Sequence, residues 1–197
     1  RPPPVMAERK RSLAKGKRER KPGKKKRKRT RENEMSKNKE VKTNAMRMLE
    51  KHKISYTTLT YECDEFVDAL KIADQLGLPY DLMYKTLVTE GNSGSYFVFV
   101  IPIHRELDLK KAARSVGEKS VSMIHVKDIN RVTGYIRGGC TAVGMKKEYI
   151  TRIDQSAKAL ETMIVSGGKI GVQIRLKPED LRTACRGEFA DLLLHEE

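Results

Sequence analysis

Apolar and polar positions change their period several times after residue 42, and each change marks an element. Ala45, Met46, Met48 and Leu49 form a stripe at helical spacing, and Thr43 stands where an N-cap would, so a helix is expected near 43–52. "ISYTTLTY" (54–61) is dense in β-branched and aromatic residues and reads as a strand. In "FVDALKIADQLG" (66–77), Val67, Leu70, Ala73 and Leu76 share one helical face and Gly77 supplies a stop. "YKTLVTE" (84–90) and "YFVFVIP" (96–102) flank the turn "GNSGS" and predict a hairpin. Its second strand is apolar on both faces, which calls for a central place in a sheet. "LDLKKAARSVG" (107–117) reads as a helix capped by Asp108 and stopped by Gly117. A short strand "VSMI" (121–124) and a helical turn (126–132) follow it. "EYITRID" (148–154), "TMIVS" (162–166) and "GVQIRL" (171–176) read as strands, the last two joined by the tight loop "GGKI". Pro178 opens a closing helix, "PEDLRTAC". The pattern predicts an α+β fold, a mixed β-sheet surrounded by helices, in a single domain over residues 41–197.

Charge separates this domain from what precedes it. The 197 residues carry a formal net charge of +15, but residues 1–40 hold 18 Lys and Arg against 5 Glu, which leaves the domain near neutral. "RKPGKKKRKRTR" (20–31) has no apolar residue with which to offset the entropy of ordering, so residues 1–40 are expected to be a disordered basic tail. Such a tail suits nucleic-acid phosphates or another acidic surface, and it also reads as a solvated extension. Met6 and Met35 each read as a natural start, with "RPPPV" an added leader, so the tail is expected to be dispensable to the core activity. Cys63, Cys140 and Cys185 are odd in number and widely spaced, with no CxxC pair, which fits a reducing compartment. No apolar run approaches the roughly 18 residues of a membrane span. The expectation is a cytoplasmic, monomeric protein with no membrane association.

Several chemistries are excluded by motif. There is no HExxH, no GxSxG and no phosphate-binding GxxxxGK[ST]. His52, His104, His125 and His195 lie far apart without metal-ligand spacing, so no metal and no cofactor are expected. Three features remain. Lys85 opens a strand, where an inward-pointing ammonium would need a partner and an outward one would be ordinary. Ser166 sits on the shoulder of "VSGGKIG", which reads equally as a plain hairpin turn. "GGCTAVGMKK" (138–147) can be a turn, or its glycines can bring backbone N–H groups against an oxyanion or phosphate.

Taken in order, the "YKT" strand, the "TGY-x-x-GG-x-[ST]-x-x-G-x-KK" loop and "VSGGK-x-G" resemble the YbaK family of aminoacyl-tRNA deacylases, which includes the editing domain inserted in bacterial prolyl-tRNA synthetases. The resemblance covers about residues 41–192. It implies a proofreading enzyme that hydrolyses the ester of a mischarged tRNA, Cys-tRNA(Pro) or a similar one, with the synthetase as an expected partner. The family's functional positions fall on Lys85, on Tyr61 in "TYE", on Gly138, Gly139, Cys140, Thr141 and Ala142 in the glycine loop, and on Ser166 and Gly167. In close relatives the substrate's own thiol is held to act as nucleophile. Two departures stand out: Ala142 where the family usually has proline, and Gln173 where some members carry aspartate. The resemblance leaves open whether Lys85 acts on the carbonyl, a phosphate or the terminal adenosine. It also leaves open a binding protein that has lost hydrolysis at the altered loop.

Overall fold

The computed structural model describes residues 42–63 and 65–195. The expected basic tail and the two candidate starts lie outside the described residues.

Helix α1 (Asn44–Lys51) begins where Thr43 turns its hydroxyl back to accept the Met46 N–H. The same hydroxyl donates to the Gly167 carbonyl, so one side chain both starts the helix and ties it to a distant loop. Strand β1 (Thr57–Thr60) is shorter than the sequence suggests, because its extent is set by pairing with β7 (Val172–Leu176). Helix α2 (Ala69–Leu76) starts at Asp68, whose carboxylate accepts the Leu70 N–H, and ends at Gly77 with φ 63°. The hairpin of β2 (Tyr84–Gly91) and β3 (Tyr96–Pro102) forms as expected. Helix α3 (Leu109–Ser115) is capped by Asp108, which two backbone N–H groups and nearby cations hold below the usual carboxylate range. Next come β4 (Val121–Met123), the short helix α4 (Ile129–Thr133) and β5 (Ile150–Asp154). Strand β6 (Met163–Ser166), β7, helix α5 (Pro178–Ala184) and β8 (Glu188–Ala190) complete the chain.

The fold is α+β, and its strands fall into two sheets rather than one. Five strands run in the order β4-β2-β3-β5-β8, antiparallel across β4-β2-β3 and parallel across β3-β5-β8. Three antiparallel strands run in the order β1-β7-β6. A single bridge, Met83 to Ile164, links the two sheets. Strand β8 escapes sequence reading because three residues carry no period; its partner β5 makes it a strand.

The central strand β3 explains its own composition. Val98 and Val100 pack with Leu49, Ile153, Ile174 and Leu181 on one face, whereas Phe97, Phe99 and Ile101 pack with Ala112, Ala113 and Leu192 on the other. A third cluster joins Ile72 and Ala73 of α2 to Tyr61, Met83, Ile103 and Ile164 at the seam between the sheets. Among the described residues no helix is long and apolar enough to cross a membrane.

Candidate active site

The seam creates the site. Among the described residues β4 pairs with β2 only at Thr89–Gly91, and β6 is bridged to Met83, just before β2. Between these contacts one edge of β2 is uncovered, and a cavity of about 380 Å³ opens against it. Lys85, Thr86 and Leu87 of β2 form one wall. Met123, Val126 and Ile129, from β4 and the segment after it, form an apolar side. Gly138 and Cys140 of the glycine loop, with Ser166 and Gln173 of the β6–β7 pair, complete the lining. Phe66 and Asp68, from the segment leading into α2, stand at the rim.

Two loops rich in glycine shape the polar side by packing on each other. Gly138 takes φ 84° in a turn closed by the Gly139 N–H donating to the Ile136 carbonyl at 3.0 Å. A methyl group on Gly139 would lie 2.9 Å from the Lys169 Cα, so backbone meets backbone here. Beneath them, the Tyr135 hydroxyl donates to the Val143 carbonyl at 2.6 Å, and Asn44 donates to the Gly144 carbonyl. The N-terminus of α1 is thus fastened to both loops.

Lys85 is half-buried. Its Nζ donates to the Ile103 carbonyl at 3.0 Å, and the cavity removes it from bulk water. That burial lowers its pKa from the ordinary lysine value, while Asp68 and Glu106 act in the opposite sense. A second cation, Arg137, lies over the Phe66 ring with its guanidinium carbon 4.1 Å from the centroid, and both residues border the cavity. Asp68 is the one carboxylate among the lining residues. The cavity therefore favours a ligand that carries or develops negative charge.

The protein's own nucleophiles are poorly placed to react. Burial pushes the Cys140 thiol up to about 11, so it stays protonated at neutral pH. The Ser166 hydroxyl accepts from the Gly168 N–H at 3.4 Å, and no histidine lines the cavity to activate it.

Of the residues singled out by sequence, the structure brings Lys85, Gly138, Cys140 and Ser166 to one cavity. Tyr61 is buried in the α2 cluster, with its N–H on the Gly171 carbonyl. The N–H groups of Gly139 and Gly167 are committed to Ile136 and Val172, so neither is free to bind a ligand. Thr141 is wholly buried, and Ala142 belongs to the large core cluster and borders a second cavity, beside His52 and Lys147. The glycine loop is thus half ligand wall and half core. Sequence reasoning missed Phe66, Thr86 and Arg137. The "KT" pair was a visible signal for Thr86, whereas nothing local marks Phe66 or Arg137.

Comparison with known proteins places this cavity in context. Residues 64–184 match the aminoacyl-tRNA editing domain family. An Enterococcus faecalis protein, EbsC, is 44% identical over 164 residues, which are 82% of this chain and all of the relative; it carries a provisional name as a Cys-tRNA(Pro)/Cys-tRNA(Cys) deacylase. A proline–tRNA ligase of Fervidobacterium nodosum is 30% identical over 99 residues, half of this chain and 17% of the ligase. A crystal structure described as a candidate trans-editing enzyme for prolyl-tRNA synthetase shares the fold, with a TM-score of 0.67 and 22% identity over 77% of this chain and 96% of its own. The match spans every wall of the cavity, from Phe66 to Gln173, and on these grounds the chain belongs to the aminoacyl-tRNA editing domain family.

Proposed function

We propose that this protein removes mischarged amino acids from tRNA, with Cys-tRNA(Pro) as its preferred substrate, as a free-standing proofreading factor in the cytoplasm. The observation that carries the reading is the cavity: a desolvated Lys85 and a glycine turn line one space suited to a small acyl group. At about 380 Å³ it lies at the low end of ligand sites, a size for the aminoacyl end rather than for the acceptor strand.

Hydrolysis of an ester needs stabilisation of a tetrahedral oxyanion. The Lys85 ammonium supplies a positive charge, and Gly138 and Cys140, whose amides donate no hydrogen bond among the described residues, line the same cavity. A cysteinyl substrate can bring its own nucleophile. Its sulfur attacks the ester carbonyl, the thiol proton passes to the departing 3′-oxygen of the tRNA, and water opens the cyclic thioester to free cysteine. The protein then contributes position and charge, in keeping with a protonated Cys140 and with Gln173, a neutral side chain, in the cavity lining. The reading requires no metal. Among the described residues no three His, Cys, Asp or Glu side chains converge as ligands. The near-neutral domain grips tRNA weakly by charge alone, so the basic residues 1–40 and a prolyl-tRNA synthetase partner add affinity.

The test is deacylation of Cys-tRNA(Pro), Cys-tRNA(Cys), Ala-tRNA(Pro) and Pro-tRNA(Pro) by the purified chain. Fast release of cysteine with sparing of proline is expected. Release of alanine ahead of cysteine would reassign the substrate, and no turnover by folded protein would favour a binding protein on the same fold.

A further inference from the structure

The uncovered edge of β2 is short, and backbone register shows which residues present their polar groups to it. In an antiparallel ladder, alternate residues direct both their N–H and C=O to opposite neighbours. Odd-numbered residues of β2 face β3: the Met83 carbonyl accepts the Ile103 N–H, and the Gly91 N–H donates to the Ser95 carbonyl. Pro102, which has no N–H, lies opposite Tyr84, as a pair without hydrogen bonds allows. Even-numbered residues face away from β3. The Val88 carbonyl accepts the Ile124 N–H, and beyond β2 the Asn92 N–H donates to the Ser120 carbonyl. Thr86 is even, so its N–H and C=O point from β2 into the cavity. Among the described residues no strand pairs with Thr86 on this side: β4 pairs only with Thr89–Gly91, and β6 is bridged at Met83.

Strand β4 explains the vacancy. It runs antiparallel to β2 and reaches Val88 with Ile124, and one further step of two residues would place a partner opposite Thr86. Instead the chain leaves in a 3₁₀ turn at Val126–Asp128. One ladder position is empty, and Lys85 and the glycine turn lie just beyond it.

We infer that the aminoacyl group of the substrate fills this position as a one-residue strand, its α-amino group donating to the Thr86 carbonyl and its ester carbonyl accepting from the Thr86 N–H. This rests on the deacylase reading above and specifies how that site holds its substrate. An aminoacyl ester carries one donor and one acceptor on a single Cα, as a residue in a hydrogen-bonded pair does. Continuing the direction of β4 turns the ester toward the Tyr84 end of β2, where Lys85, Gly138 and Ser166 lie. The Thr86 N–H then becomes an oxyanion donor, held in place by the sheet. Recognition through main-chain groups accepts any α-amino acid, which leaves selection among amino acids to the cavity's side walls.

Three measurements on the full chain test this. Thr86→Pro deletes an N–H that points away from β3 and that no paired strand uses, and Lys85 before it is already extended. With circular dichroism unchanged, kcat/KM on Cys-tRNA(Pro) should fall at least tenfold, in line with the loss of an oxyanion donor. 3-Mercaptopropionyl-tRNA(Pro), which keeps the thiol and lacks the α-amino group, should be hydrolysed at least tenfold more slowly than the cysteinyl form. In wild-type protein, 3′-deoxy-3′-(L-cysteinylamido)adenosine should shift the Thr86 amide resonance and slow its hydrogen exchange. The amide measurement decides the matter where Thr86→Pro fails to fold. An unmoved Thr86 amide at saturating analogue, or a folded Thr86→Pro with wild-type kcat/KM, overturns the inference. Wild-type protein that binds the analogue through Thr86 yet hydrolyses no aminoacyl-tRNA would instead overturn the deacylase reading.

Discussion

Gly139 offers the sharpest test of how the cavity is held in shape. Its φ is one that other residues adopt, so replacement by alanine brings no backbone strain. The added methyl, however, would sit 2.9 Å from the Lys169 Cα and 3.1 Å and 3.2 Å from the neighbouring carbonyl carbon and nitrogen. Ordinary contacts begin near 3.4 Å, and all three atoms are backbone, so the two loops must separate by several tenths of an ångström. Overpacking of this kind costs about 1–3 kcal/mol. At roughly 2–4 °C per kcal/mol for a domain of this size, Tm should fall by roughly 2–12 °C. The loops that part are those bearing Gly138 and Cys140 on one side and Ser166 on the other, so deacylation should drop by about tenfold or more. Gly117→Ala is the control. Gly117 has φ 75° and open space around its missing Cβ, so alanine there costs about 1–2 kcal/mol of left-handed strain far from the cavity. Both variants should melt earlier, as followed by circular dichroism, and only Gly139→Ala should lose activity on Cys-tRNA(Pro). A folded Gly139→Ala with wild-type kcat/KM would refute the claim that loop packing sets the geometry of the site.

Three further outcomes are expected. Lys85→Met should lower deacylation at least tenfold and leave Tm unchanged or higher: burial favours the neutral amine, so the fold disfavours the charge, and wild-type stability should rise with pH as Lys85 nears its lowered pKa. Methionine at this position with wild-type turnover would remove the ammonium from the reaction. Cys140 has a thiol pushed up to about 11, which leaves a thiolate fraction on the order of 10⁻³ at pH 8; iodoacetamide labelling, read by mass spectrometry, should be slow there and gain about tenfold per pH unit, and rapid labelling at pH 7 would make it a nucleophile after all. Thr141→Val removes a buried hydroxyl that has no partner among the described residues and should stabilise the protein by about 1 kcal/mol in thermal melts, whereas loss of deacylation would show the hydroxyl at work.

Much of this protein is written locally. Thr43, Asp68, Asp108, Gly77 and Pro178 sit at helix ends as their chemistry demands, because a cap needs only its own next few residues. The doubly apolar β3 announced its central place, since no exposed strand face could carry that pattern. The order of the "YKT", "GG-x-T" and "SGGK" segments pointed to the family, and four of the nine residues drawn from it line the cavity. What the local pattern could not carry was decided by pairing across long separations. Division into two sheets follows from which strands pair, β1-β7-β6 apart from β4-β2-β3-β5-β8, and the Met83 to Ile164 bridge joins the two across 81 positions of chain. Thr86 is uncovered because β4 turns away after Ile124 and β6 meets this edge only through Met83; the "KT" pair marks the residue, but neither long-range fact can be read beside it. The glycine loop divides between cavity and core for a similar reason. Gly138 and Ala142 are four residues apart and look alike as parts of one flexible segment, but Tyr135, Asn44 and the Lys169 backbone hold the first turn against the cavity while α1 and the strands draw Cys140's successors inward. Sequence determines which residues can bend, cap or be buried; only the packed sheets determine which of their polar groups are left facing a space that a substrate can fill.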